Sequence, residues 1–367
     1  MIIRICKTNS GLISVFLLAM LFGTIVRGEQ AEGATDTNDG FRIIDQTINM
    51  TINTIDKTIN TILSIPPKNS AFSVYWENDG TFMKPDFSTD RHYTDGFKIV
   101  YAHQPDSNWL KGFGRWNNFA DKDTNVSTAV GYFFGQNMYT PDHADNPEER
   151  VSPDRVFAGW LYWGIFAQRA TTEKMEHLEL NFGLLGPSAL GGPVQNFIHN
   201  LVGVNKPKGW DDQLGDEFHT DLTWFQRRRA DVPAFQNTEN FDTHLEYGFT
   251  AGTLHRNAIA SILFRWGNNL PNDFGPGRLE APSCYTMGTD KEQKDIYFFA
   301  RFGGKLVQFD RFLTGLDTNP AVGVMQLGIA AHYKSFEISY SQTFLTKEYR
   351  EQPSADSYAS LNLTYHF

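Results

Sequence analysis

The chain has 367 residues and a net charge of −10, from 42 acidic against 32 basic side chains, a balance that argues against nucleic-acid binding. Its mean hydropathy is −0.39, which a bundle of membrane helices does not tolerate. Aromatic residues nevertheless make up 14%, with 30 Phe, 14 Tyr and 8 Trp, which suits a membrane barrel with a polar lumen and aromatic girdles.

Arg4 and Lys7 form a basic end, an apolar stretch runs from about Ile13 to Ile25, and Val26-Arg27-Gly28 follows with small residues. Residues 1–28 read as a secretory signal peptide. No later run approaches the ~20 apolar residues a membrane helix needs. Cys6 lies in the signal, which leaves Cys284 alone and excludes an intramolecular disulfide.

Residues 29–70 read as a periplasmic extension. Ile48, Ile52, Ile55, Ile59 and Ile62 follow a heptad seam. Thr and Asn fill much of the rest, and β-branched residues are mediocre helix formers. Two readings stay open: a flexible or lightly helical linker, or a short coiled coil that makes a homo-oligomer through residues 44–65. Pro66-Pro67 ends the segment.

From Ala71 the pattern alternates. Phe72, Val74 and Trp76 face one way, with Tyr75 and Glu77 opposite; Phe97, Ile99 and Tyr101 repeat the pattern, as do Leu178, Leu180, Phe182 and Leu184. Phe336, Ile338 and Tyr340 follow late in the chain. The last residues place Leu361, Leu363, Tyr365 and Phe367 on one face and Asn362, Thr364 and His366 on the other. An exposed final edge is a liability that a closed barrel in lipid removes. The expected fold is all-β: a transmembrane antiparallel up-and-down β-barrel over residues 71–367 with about 12 strands, located in the bacterial outer membrane.

A parity argument places the loops. With both chain ends in the periplasm, every odd-to-even connection faces outward. Strand one ends near Asp79 and strand two begins near Tyr93. Strand three runs from about Ser127 to Tyr139, and strand four starts near Val156. Strand five ends near Gly186, and strand six begins after Trp210. One extracellular lip thus collects three unusual loops.

The first is flanked by Glu77-Asn78-Asp79 and by Thr89-Asp90-Arg91-His92-Tyr93-Thr94-Asp95-Gly96. These hard oxygen donors suit Ca²⁺; the same residue types are ordinary turn formers. The second holds Tyr139-Thr140-Pro141 and then Arg150 and Arg155, whose guanidinium groups have the geometry for phosphate. Surface arginines mostly have no such role. In the third, Pro193 and Gly203 bracket one short helix. Gln195 and His199 are four apart and share a face, while Phe197, Ile198 and Leu201 are positioned for lipid or the barrel rim. An imidazole there suits a general base or a solvated cap. Ser188 precedes a Gly-rich turn but has no nucleophile-elbow pattern. Lys206 and Lys208 add cations to the lip.

Taken together, Glu77-Asn78-Asp79, Asp90-Arg91, Tyr93-Thr94-Asp95-Gly96, Gly135-Gln136-Asn137-Met138-Tyr139-Thr140-Pro141 and Asp154-Arg155 with Ala158-Gly159-Trp160 resemble the LpxR-type lipid A 3′-O-deacylases. Gly186-Pro187, Val194-Gln195-Asn196, His199, Gly209-Trp210, Gln213-Leu214, Gly267-Asn268 and Asp273-Phe274-Gly275 extend the resemblance, which spans about Ser73 to the C-terminus. It implies a twelve-stranded outer-membrane barrel that hydrolyses the 3′ acyloxyacyl ester of lipid A in lipopolysaccharide, by a mechanism likened to calcium-dependent phospholipase A2. His199 is then the general base, Asp79 with Asn78 and Thr94 belongs to the Ca²⁺ site, and Gln195 sits beside the base. The metal would polarise the ester carbonyl. Rival readings are a non-enzymatic barrel acting as pore or surface platform, and an outer-membrane phospholipase. One departure stands out: some members carry acidic and aromatic residues shortly after the His, where this chain has Val204-Asn205-Lys206-Pro207. Asp216 and Glu217 are the candidate substitutes for that acid.

Overall fold

The computed structural model describes residues 69–79, 90–104, 107–121, 124–203, 205–232, 237–279 and 294–367. The described residues all belong to one compact unit, Pro67–Phe367. The signal, the isoleucine seam and the oligomer it would support lie outside the described residues.

Twelve strands follow in order: β1 (Ser70–Asn78), β2 (His92–His103), β3 (Ser127–Thr140), β4 (Ala158–Ala170), β5 (Lys174–Leu185), β6 (Glu217–Arg229), β7 (Phe241–Gly252), β8 (His255–Asn268), β9 (Lys294–Asp310), β10 (Ala321–Tyr333), β11 (Phe336–Leu345) and β12 (Asp356–His366). Each pairs antiparallel with its sequence neighbours, and β12 closes on β1 through Ala71↔His366 to Asn78↔Ala359. The terminal strand is therefore not an edge. Among the described residues two α-helices interrupt the strands: α1 (Asn108–Arg115) between β2 and β3, and α2 (Gly191–Val202) between β5 and β6. Among the described residues no helix is long and apolar enough to cross a membrane.

The period-two pattern sorts side chains as the sequence indicates. Tyr75 and Glu77 are buried inside the cylinder, whereas Trp76 is exposed on its outer wall. Tyr132, Phe134, Trp163, Ile165, Leu178, Phe298 and Phe302 are exposed apolar residues of the same wall, the surface a barrel gives to lipid.

The lumen is polar and filled. Glu246 takes Arg227 Nε at 2.6 Å and Arg301 Nε at 2.8 Å, and Lys98 Nζ lies 3.4 Å from Glu179. Each of these buried cations faces a carboxylate, and Glu246 is shared by two of them, the kind of pairing under which burial is tolerable. The β8–β9 connection enters this space from the mouth opposite the β1–β2 hairpin. Arg227 donates to the carbonyls of Phe274 and Gly275, Arg301 donates to Pro276 O at 3.3 Å and Asn362 to Gly277 O at 2.9 Å. Leu279 then donates its amide to Glu77 Oε1 at 3.1 Å. This segment traverses much of the lumen as a plug.

Candidate active site

The connections β1–β2, β3–β4 and β5–β6 share one mouth, as strand parity requires. They converge on the outer wall at its rim rather than in the lumen. Asn78 follows Trp76 on the outward face of β1 and pairs with Asp95 of β2. Between Tyr93 and Asp95 the β2–β3 register shifts by a bulge at Thr94, which changes which side chains the strand turns outward. Asp95 Oδ2 accepts Trp76 Nε1 at 2.9 Å and Asn78 Nδ2 at 3.4 Å. Asn78 Nδ2 and the Asp79 amide both donate to Thr94 O at 3.1 Å. The Thr94 hydroxyl meets that of Thr140 at 2.7 Å. Thr94 thus gives this corner its backbone carbonyl rather than its hydroxyl.

Helix α2 lies on the outer side of β3 and β4. Gln136, on the outward face of β3, donates to Ala189 O at 2.5 Å. A Cβ on Gly159 would sit 3.2 Å from Gly191 Cα, so the wall and the helix start touch backbone to backbone. Gly203 ends the helix at φ 77°, its amide donating to His199 O at 2.9 Å. Val194 and Ile198 pack with Met138, Ala144, Phe157 and Trp210. The remaining faces divide as the spacing indicates: Gln195 (2% exposed) and His199 (7%) turn inward, while Phe197 (61%) and Leu201 (54%) turn out.

His199 is held on both nitrogens. Nδ1 meets the carbonyl of Asn205, and Nε2 lies 3.2 Å from Asp90 Oδ2. Burial lowers the imidazole pKa, but the hydrogen bond and charge of Asp90, the Asn205 carbonyl and the charge of Asp145 outweigh it, so the net shift is upward. Asp79 joins the same neighbourhood: its carboxylate accepts the amide of Arg91, one residue past Asp90, at 2.5 Å. Gln195 Oε1 accepts Trp210 Nε1 at 2.8 Å. That donor fixes which end of the carboxamide is oxygen. Gln195 Nε2 is left buried with no hydrogen-bond partner, a state that costs about 1–3 kcal/mol.

The turn that presents Asp90 is pinned from behind. Buried His92, at φ 58°, sits 2.7 Å from Asp356, 3.1 Å from Asp154 and 3.0 Å from the Tyr349 hydroxyl. Arg91 pairs with Asp356 at 3.3 Å and donates to Ser354 O at 3.0 Å. Three hairpin tops are tied together by these two residues.

His199, Gln195, Asn78, Asp79 and the Thr94 backbone therefore gather at one rim. The expected substitutes for the missing acid do not reach it. Asp216 accepts Ser188 N and Oγ at 2.8 and 2.9 Å, and Glu217 binds Arg311 at 2.6 Å and His219 at 2.8 Å. The acid beside His199 is Asp90, and among the described residues of the divergent stretch Asn205 meets the imidazole through its carbonyl. Nor do the two arginines present forks to a phosphate: Arg155 is buried against Glu348 at 2.5 Å, and Arg150 donates to the carbonyls of His143, Ala144 and Lys208. Among the described residues no three His, Cys, Asp or Glu side chains form a ready metal cage.

The sequence model of one protein family, described as "Outer membrane protein LpxR", matches residues 50–367. The chain belongs to the LpxR family. Its match begins inside the isoleucine-spaced segment, further toward the N-terminus than the motifs indicate. Among solved structures this LpxR-family chain is similar to LpxR from Salmonella typhimurium, at 21% identity and TM-score 0.65, covering 81% of this chain and 100% of that one. The β domain of the Bordetella autotransporter Brka also matches, at 10% identity and TM-score 0.38, over 82% of this chain and 99% of that one. No curated protein sequence matches the chain.

Proposed function

We propose that the chain is a Ca²⁺-dependent esterase of the bacterial outer membrane, hydrolysing the 3′ acyloxyacyl ester of lipid A in lipopolysaccharide, with its site on the outward-facing rim. Family membership supports the substrate class. The observation that carries the chemistry is the pairing, on one helix face at the lipid-facing wall, of a buried imidazole with a carboxamide whose donor lacks a partner.

With Nδ1–H committed to Asn205 O, neutral His199 has its lone pair on Nε2, and it acts as base with a water in the place that Asp90 Oδ2 takes at 3.2 Å. That nitrogen takes a proton from water as the water oxygen bonds to the acyl carbon. Asp90 stabilises the imidazolium that results, and the same nitrogen returns the proton to the sugar oxygen as the ester bond breaks. Gln195 Nε2–H is suited to donate to the carbonyl oxygen as it gains charge. The products are a 3′-hydroxyl and a free acyloxyacyl acid.

Asp79 and Asn78 bring the hard oxygen donors fit to hold Ca²⁺, with water and substrate completing six to eight ligands, and Thr94 O, which accepts from both residues, positions them. When bound, the cation supplies Lewis-acid polarisation of the ester carbonyl. The plugged lumen and its paired charges speak against the pore reading.

The test is mass spectrometry of lipids after incubation with refolded protein, in calcium and in chelator. Loss of one acyloxyacyl unit from lipid A, dependent on calcium, is expected. Fatty acid released from phosphatidylethanolamine with lipid A untouched would replace this reading with a phospholipase.

A further inference from the structure

A second helix lies against the same lipid-facing wall, at the other rim. Helix α1 belongs to the β2–β3 connection, at the mouth opposite His199. It packs on the outward side of β3 and β4. A Cβ on Gly114 would lie 2.9 Å from Thr128 Cγ2. Arg169 alternates with the exposed Trp163 and Ile165 along β4, and so points outward. Its guanidinium donates to Phe113 O at 2.8 Å and Trp116 O at 2.7 Å and lies 4.1 Å over the Phe119 ring. Glu176 neutralises it at 2.5 Å. The helix thus covers a charge that bare lipid would not accommodate.

Three faces remain distinct around α1. Leu110 and Gly114 are buried against the wall. Trp109 (61% exposed) projects on a second side, and Trp116 (67%), just past the helix end, is also exposed. Lys111 and Arg115, four apart and exposed, share a third. An isolated water-facing helix gains nothing from two exposed indoles. The arrangement suits a segment lying in a headgroup layer, with indoles toward the acyl chains and cations toward phosphates. Tyr132, Ile165 and Leu178 are exposed apolar residues of the same wall that α1 packs on.

We propose that residues 108–119 are an interfacial anchor docked on the phospholipid headgroup–acyl boundary of the leaflet opposite the His199 site. An eight-residue helix is far too short to span and lies on the membrane instead. The anchor fixes barrel depth from one rim while α2 meets the other. It does not depend on the esterase reading.

The full chain is refolded into phosphatidylcholine vesicles whose lipids carry bromine either near the headgroup end or near the tail end of the acyl chain. Wild type is compared with Trp109→Phe/Trp116→Phe, and the difference in emission reports these two indoles. The result expected is blue-shifted difference emission, quenched at least about two-fold by shallow bromines and less by deep ones. Difference emission quenched by aqueous iodide but by neither bromolipid overturns the proposal, as does emission insensitive to all three. If the double variant does not refold, Trp109→Phe and Trp116→Phe are read singly by the same criteria.

Discussion

The outer wall and the lumen of the same strands put their buried polar groups to different uses. In the lumen, Glu246 holds both Arg227 and Arg301 within 2.8 Å, and the plug gives the same arginines carbonyl acceptors. At the outer rim, Gln195 Nε2 has no partner, and His199 has one carboxylate at 3.2 Å beside a lipid-facing helix surface. The contrast teaches where to look for chemistry. The lumen also buries single unpartnered atoms, Asn181 Oδ1, Thr343 Oγ1 and Asn362 Oδ1, so what marks the rim is the unpartnered donor together with an imidazole on the same helix face.

That contrast breaks most visibly in the lumen. Glu246→Ala leaves two arginines without their carboxylate, and urea unfolding from vesicles should show a loss of about 3–5 kcal/mol, with turnover per folded molecule little changed. A large fall in turnover at normal stability would mean that the lumen takes part in chemistry. The outer rim should respond mainly in turnover. Gln195→Ala removes the unpartnered donor and should lower kcat by about 10²-fold, at a stability cost of about 1–3 kcal/mol because the buried Trp210 Nε1 loses its acceptor. An unchanged kcat would remove Gln195 from the mechanism.

Smaller effects sharpen the role of Asp90. Protonated His199 cannot accept a proton, so the rate should rise with pH through the imidazole pKa, which lies above its usual 6.5. Asp90→Asn removes the leading opposing cause after burial, so the acid limb should shift to lower pH, with kcat falling about ten-fold from lost orientation. An unmoved limb would show that another group sets the ionisation. Smallest is His92→Gln. Weakening the tie among three hairpin tops should reduce kcat a few-fold with KM nearly constant, and the limb should stay in place.

Much of this was legible in the chain. Alternation separates Trp76 from Glu77 because strand faces have a period of two. The bracket Pro193 to Gly203 locates α2, and four-residue spacing sets Gln195 beside His199. Asp90 as the partner of His199 was not legible, because it depends on two loops 109 residues apart folding onto one wall. The Thr94 bulge and the plug leave no periodic trace, and Asp95, quoted only as one hairpin oxygen among several, gains its place from cross-strand register. Asp216 and Glu217 were nearer in sequence to the helix but have their own partners.

The central claim is that the imidazole on the outer wall does the hydrolysis. Lipid A mass after incubation with equally folded wild type and His199→Ala, in calcium, tests it most directly. The wild type should shorten lipid A by one acyloxyacyl unit, and His199→Ala should be slower by about 10³-fold or more. Equal shortening by both proteins, or none by a folded wild type, would contradict the account.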